Sequence, residues 1–544
     1  MRMEAYQWKS GQPLTDDYIA RFEKTGGLFD YNPWQEESWR ERAAWLDEQR
    51  PPGVDRQRVA DVLRAFNERA GAAPEALAAA EKLRDPRTLV IAGGQQAGLF
   101  TGQLLVVYKA VTLIAAAREA SVRLGRPVVP IFWIAGEDHD FDEVNHIDYL
   151  SPSLSVERIK LEHPAGIRTS VSRMAIAGEQ WAEAIGQLGG SLMDTEFKEG
   201  LLASLREAAE ASGTLTDCFA RLMARLFGPH GLVLIDSDDP ALRALEGPMF
   251  RGLLERSAEV NEALLARSAK LKELGYEPQV ELQETSANLF TYGEQGERLL
   301  LYRTEDGFAD RKGERRFSRD ELLQRAESEP RQLSNNVMTR PLMQDYLFPV
   351  LASVLGPAEI AYWGQTGEAF RLFGMRMPIL LPRLVFTLVE GTVQKNMQKY
   401  GLSLEDVMER MEEKREAWLR EQDAYGLESR FGEVKTLFRS AYEPLVGTLG
   451  EINPGLKKLG DTNLGKILEQ IDFLHHKAEE GLRSQHESGL RQLQRIEASI
   501  CPAGRPQERV YNIFAYLNRY GGDWIGQLLE QPLQVDGKHR VIYM

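Results

Sequence analysis

Residues 88–146 read TLVIAGGQQAGLFTGQLLVVYKAVTLIAAAREASVRLGRPVVPIFWIAGEDHDFDEVNH. A short apolar run, a glycine-rich turn, an apolar helix, a second apolar run and an acidic loop with two histidines follow one another, which is the order of a β-α-β unit. Residues 89–92 and 128–134 are apolar without alternation, the pattern of inner strands in a parallel sheet covered by helices on both faces. In such sheets ligands collect where strands end and helices begin, so 93–102 and 136–146 are predicted to face one crevice.

The glycine turn has two readings. Gly93, Gly94, Gly98 and Gly102 lack side chains, so backbone N–H groups at the start of the next helix could approach an anion closely, helped by the helix dipole. The same glycines could simply let helix and strand pack. Gly93 and Gly98 have Walker A spacing, but Leu99 and Phe100 stand where Lys and Ser/Thr would hold phosphate and magnesium; the turn is not G-x-G-x-x-G either. The candidate anion- or nucleotide-binding residues are Gly94, Gln95, Gln96, Gly98, Thr101 and Gly102.

In the acidic loop, Glu137, Asp138, Asp140, Asp142 and Glu143 place five carboxylates within seven residues, with His139 and His146 among them. Three uses fit: binding a substrate ammonium, holding a divalent cation, or orienting a histidine as general base. A solvated acidic helix start is the alternative, foremost for Asp142 and Glu143. The catalytic candidates are His139 with Asp138 and Asp140, and Glu137 and His146 are substrate-binding candidates. His139 and His146 are seven apart and would share a face of a helix, but no H-E-x-x-H spacing or cysteine accompanies them, so no metal ligand is assigned. Lys109, Arg340 and Arg383 are candidate clamps for a substrate carboxylate or phosphate.

A chain of 544 residues is too long for one compact core and predicts two or three domains. The net charge of −15, from 66 basic and 81 acidic side chains without a long Lys/Arg run, disfavours nucleic acid and anionic membranes as partners. Two cysteines, Cys218 and Cys501, make neither a disulfide framework nor a CxxC motif. The first residues lack an apolar signal segment and no apolar run is long enough to span a bilayer, so a cytoplasmic protein is expected.

Residues 1–87 are helical in pattern, with Trp34, Trp39 and Trp45 as packing residues. Residues 233–235 are a third inner-strand candidate. Asp236, Asp238 and Asp239 behind them could meet ligand or cap the helix begun by Pro240, capping being the preferred role for Asp238 and Asp239. LFTYGEQGERLLLYR within 276–317 predicts a hairpin that forms part of the crevice wall. The segments around 350–383 complete about five strands in α/β order. Between 402 and 500 the chain is charged and glutamine-rich. Phe431, Val434, Phe438 and Leu445 on one arm, and Ile471, Leu474, Ala478, Leu482, Leu493, Ile496 and Ile500 on the other, define a helical seam. Asn453-Pro454-Gly455 separates the arms, so an antiparallel hairpin is expected, with Gln485 and Gly489 as weak points of its seam. An apolar flank left by two helices predicts a homodimer. The expected division is an α/β core with inserted elements over 1–387, a coiled-coil domain over 388–506, and a segment over 507–544 that returns to the core.

GQQAGLFTGQ and FWIAGEDHDFDEVNH, with NVMTRPLMQDYLFP at 336–349, GPAEIAYWGQ at 356–365 and QERVYNIFAYLNRYG at 507–521, resemble the BshC family of bacillithiol biosynthesis over nearly the whole chain. The resemblance implies a Rossmann-like core similar to class I aminoacyl-tRNA synthetases and nucleotidyltransferases, an appended helical coiled coil, and a dimer. It further implies a ligase that adds cysteine to the amine of glucosaminyl-malate, with ATP or another adenine nucleotide as the expected cofactor. Gln95 and Thr101 occur where the synthetase H-x-G-H histidines would be sought, so those adenylate-forming groups do not transfer. A metal-assisted hydrolase acting at GEDHD and a coiled-coil interaction protein with a ligand-binding core are the competing classes.

Overall fold

The structure, a computed structural model, describes residues 2–7, 9–164 and 167–544. The chain gathers into two units. One comprises the chain up to Ser151 with Val156–Thr387 and Gln507–Ile542, and the other Pro152–Ser155, Leu388–Pro506 and Tyr543–Met544.

The first unit is built on a parallel sheet. Its strands are β1 (Leu89–Gln95), β2 (Val128–Ile134), β3 (Val233–Asp236), β7 (Val350–Leu355) and β8 (Ile379–Pro382), in the order β8-β7-β1-β2-β3. β1 and β2 lie inside the sheet and pair from Leu89↔Val128 to Gln95↔Ile134. Every residue of β2 is buried, as its unbroken apolar run requires. The reading of 233–235 as an inner strand is corrected: β3 is an edge strand. Its apolar run reflects cover on both faces rather than a neighbour on each side, a distinction that composition does not encode.

Helix α1 (Leu104–Leu124) crosses from β1 to β2 and ends at Gly125, whose left-handed φ of 61° closes the helix. Three further helices frame the site: α2 (Pro240–Glu255), α3 (Arg340–Leu347) and α4 (Pro357–Trp363). Asp239 caps α2 by accepting from the amides of Ala241 and Leu242. Asp238 is not a cap, contrary to expectation; it accepts two hydrogen bonds from Arg173, at 2.6 and 2.8 Å. Trp39 and Trp45 are buried, whereas Trp34 is partly exposed. The hairpin over 276–317 forms as β4 (Ser286–Tyr292) and β5 (Arg298–Arg303), antiparallel, with β6 (Leu333–Asn335) on the other side of β4.

The second unit contains α5 (Leu427–Ile452), α6 (Pro454–Gln485) and α7 (Glu487–Ile500). Asn453 ends α5 and caps α6 through its side chain on Gly455 N, so the Asn-Pro-Gly break produces the expected hairpin. The predicted seam holds at Leu482, Leu493, Ile496 and Ile500, which are buried, and differs elsewhere. Val446, Gly460, His475 and Leu482 are buried, whereas Val434, Leu445 and Leu474 are at least half exposed. Two helices bury one stripe, and small Gly460 against Val446 lets them approach there. Gly489 admits the Trp418 ring, leaving no room for a Cβ. Among the described residues, no helix is long and apolar enough to cross a membrane.

Candidate active site

β2 delivers the acidic loop to the carboxyl edge of the sheet. Ala135 N donates to Gln95 O at 2.9 Å, and Ser172 N and Val171 N donate to the carbonyls of Gly136 and Asp138 at 3.0 and 2.8 Å. A Cβ on Gly136 would overlap Ser172 Oγ and Asp236 Oδ1, so only glycine fits this close approach. Asp236 is thereby a loop support rather than a ligand contact. Ser172 Oγ donates to it at 2.6 Å, and burial, then the neighbouring Asp238 charge, push its carboxyl up to about 7.

Within the loop, Glu137 is buried and pairs with Arg243 of α2, while accepting from Asn335 N at 3.2 Å. Arg243 also pairs with Glu246, whose buried carboxyl is pushed up to about 8, burial being the largest cause. Glu137 is therefore a fixed wall, held by an arginine lodged between carboxylates. Asp138 is partly exposed and accepts from Gln96 Nε2 at 2.8 Å and from His139 N at 2.7 Å.

The hairpin supplies the facing wall. Arg298, at the start of β5, lies over the Phe290 ring at 3.8 Å and donates to Ser334 Oγ, Asn335 O and His139 Nδ1 at 3.0, 2.6 and 3.2 Å. Arginine has no acceptor, so Nδ1 of His139 must accept this bond, and a neutral ring then has its proton on Nε2. Burial, followed by the Arg298 charge, holds His139 below the usual imidazole range. Asp138 and Asp140 stand 3.6 and 4.0 Å from its ring nitrogens, beyond direct hydrogen bonding in this arrangement.

Between these walls lies a cavity of about 600 Å³. Glu137, Asp138, Glu281 and Glu359 line it together with Arg298, Arg311 and Arg340, and Trp133, Phe290, Tyr302 and Tyr362 supply aromatic surface. Arg340 donates to Tyr362 Oη at 3.0 Å and to Gln344 Oε1 at 3.3 Å. The Asn335 side chain, also in the lining, has both polar atoms buried without a hydrogen-bond partner among the described residues.

Of the residues expected at a site, Gly94, Gln95, Gln96, Glu137, Asp138, His139 and Arg340 come together on this cavity. Gly98, Thr101 and Gly102 do not line it. Gly98 and Gly102 pack on each other, Asn512 Nδ2 donates to the carbonyls of Phe100 and Gly102, and the first amide of α1, Leu104 N, is taken by Tyr511 O at 2.8 Å. The helix start expected to cradle an anion is thus covered by the chain itself. Lys109 is corrected from a substrate clamp to a buried strut. Its ammonium donates to Gly94 O, Gln95 Oε1 and Glu359, and burial lowers its pKa. It fixes Glu359, whose carboxylate also accepts from Gly356 N at 2.6 Å. Arg383 is likewise withdrawn, paired through both nitrogens with buried Glu508 at 2.6 and 2.7 Å. His146 and Asp140 are not in the lining; a four-residue helix, Phe141–Val144, separates the two histidines, and His146 begins a strand paired with Val156–Lys160. The shared helical face expected for His139 and His146 does not exist.

Arg298, Arg311, Glu281, Asn335 and Glu359 were not singled out by the sequence. The alternating pattern of the hairpin placed Arg298 on one face, but nothing local says that this face fronts the acidic loop, 160 residues earlier. Chemically, the cavity can hold a cationic amine against Asp138, Glu281 or Glu359 and anionic groups against Arg298, Arg311 or Arg340.

Two family models match the chain: the N-terminal Rossmann-like domain of bacillithiol biosynthesis BshC over residues 1–384, and the C-terminal coiled-coil domain of BshC over 386–544. Similar proteins carry the name "Putative cysteine ligase BshC". That of Geobacillus kaustophilus is 39% identical over 540 residues, that of Bacillus cytotoxicus 36% over 532 and one from Bacillus cereus 34% over 532, each match covering 98% of both chains. With two domain models spanning the sequence end to end and relatives matched over their full length, this chain belongs to the BshC family of bacillithiol biosynthesis.

Proposed function

We propose that this chain is a cytoplasmic ligase that forms an amide between the carboxylate of cysteine and the amine of glucosaminyl-malate. The names of its relatives supply the cysteine-ligase class. The observation that supports the fuller reading is the mixed charge of this cavity. Carboxylates can hold amines, and three arginines can hold the carboxylates that a malate unit presents. Amide formation needs an activated carboxyl carbon, an amine freed of its proton and donors for the developing oxyanion. His139 is the proposed proton acceptor, with Asp138 holding the loop amide beside it. In that role its Nδ1 is released when Arg298 turns to a substrate carboxylate. An adenine nucleotide is the proposed activating group, with Gly94, Gln95 and Gln96 as the part of the glycine segment that faces the cavity. The hairpin of the second unit is proposed to make the protein a homodimer.

The deciding experiment supplies purified protein with cysteine, glucosaminyl-malate and ATP and follows thiol product and nucleotide by chromatography. Product formation with stoichiometric ATP cleavage is expected. No product at any metal or nucleotide condition tried would remove the assignment, while product without nucleotide turnover would remove only the activating role of ATP.

A further inference from the structure

The hairpin of the second unit contains a side-chain cluster unrelated to the cavity. His475 and Glu479 are four residues apart on α6 and so share a face, and Glu428 reaches the same point from α5. His475 Nε2 lies 3.7 Å from Glu428 Oε2 and 3.6 Å from Glu479 Oε1, and one ligand atom from each residue can be chosen so that all lie within 4.8 Å of one another. Among the described residues it is the one such group of three.

Two observations point to a ligand rather than to an ion pair. His475 is only 8% exposed and its Nε2, aimed between the two carboxylates, has no hydrogen-bond partner among the described residues. An imidazolium making a charge-assisted bond would close to about 2.7–2.9 Å from one oxygen. Instead the nitrogen stands nearly equidistant from both, at separations close to the roughly 3.3 Å between neighbouring ligands of a tetrahedral ion with bonds of about 2.0–2.1 Å. The ring is also held in place: it stacks on Phe431 with centroids 4.6 Å apart, and the second oxygen of Glu479 lies 3.3 Å from His476 Nδ1. A ligand oriented by its own neighbours is what a metal site needs.

We propose that Glu428, His475 and Glu479 bind one divalent transition-metal cation, of the zinc class, and thereby clamp α5 to α6. One imidazole nitrogen and two carboxylate oxygens suit zinc and its neighbours better than magnesium or calcium, which prefer all-oxygen shells. Three protein ligands leave the fourth position to water.

Full-length protein stripped with EDTA and dialysed is titrated with zinc sulfate against a chromophoric chelator, beside His475→Gln, Glu479→Gln and Glu428→Gln. Wild type should take up one equivalent that His475→Gln lacks, with affinity at least about tenfold weaker in each glutamate variant. Zinc should also raise the melting temperature of the wild-type helical signal and leave that of His475→Gln unmoved. Zinc uptake that is absent in wild type, or undiminished in His475→Gln and Glu479→Gln, overturns the site. Glu479 is partly exposed, so its variant tests the proposal even if His475→Gln fails to fold.

Discussion

Arg298 and His139 set each other's chemistry. The guanidinium takes the Nδ1 lone pair and, after burial, is the largest influence lowering the imidazole pKa. The depressed value keeps the ring unprotonated to a pH below the ordinary 6.5, so the acid limb of kcat/KM should lie below that value. In Arg298→Gln the limb should move upward, toward 6.5. His139→Ala should lower kcat/KM by about 10²–10⁴-fold and abolish the limb. An unchanged pH–rate profile in His139→Ala would end the base assignment. Gly136→Ala is a packing prediction: its methyl must displace Ser172 or Asp236, at about 1–3 kcal/mol in chemical denaturation. A variant as stable as wild type would contradict the close approach. Single residues were legible in the sequence only where local chemistry decided their role. Asp138 and His139 follow an apolar strand directly and reach the cavity. Lys109 and Arg383 misled because their neutralising partners, Glu359 and Glu508, lie 250 and 125 residues away, beyond any local pattern.

Elements were more legible than sites, because burial on two faces leaves a mark on every residue of a strand. The runs over 89–92 and 128–134 became the inner pair β1 and β2, and their carboxyl ends became one wall of the cavity. The edge position of β3 left no such mark, since the helices covering its faces impose the same apolar composition. Its terminal Asp236 gives this element its own test. The unfolded carboxyl titrates near 3.8 and the folded one near 7, so the folded state holds the extra proton between them. Stability from this group is therefore full below about 3.8 and is lost as pH rises toward 7. Asp236→Asn, which can still accept from Ser172, should flatten that part of the stability–pH curve, so that its advantage over wild type grows from pH 4 to 7. Parallel curves would show that Asp236 does not titrate in this window. On the hairpin, a three–four spacing located the helices. It placed the buried stripe correctly at Leu482, Leu493, Ile496 and Ile500 and missed it nearer the turn, because Gly460 and His475, neither of them classed as apolar, occupy positions in it.

For the whole molecule, the assembly prediction rests on the hairpin's own surface. Leu437, Leu459, Phe473 and Leu474 are each more than half exposed, and these are the side chains that a second copy would cover. Light scattering should give a dimer for the full chain and a monomer for a 402–500 deletion or for Leu459→Glu/Leu474→Glu. A monomeric full chain, or a dimeric deletion, would remove the hairpin from the interface. The two-unit organisation was visible as a change of composition after 388, but the use of Tyr511 and Asn512 to cover the glycine turn was not, since backbone carbonyls leave no trace in sequence. That cover bears on how the protein is made. Phe100 and Thr101, both in left-handed backbone conformations, leave the ribosome some 400 residues before Asn512, and the intervening stretch ends with the 119 residues of 388–506. At about 5–20 residues per second, that last stretch alone takes roughly 6–24 s to synthesise. Throughout that time the nascent β-α-β unit lacks the segment that covers its turn, since Tyr511 and Asn512 follow that stretch in the chain.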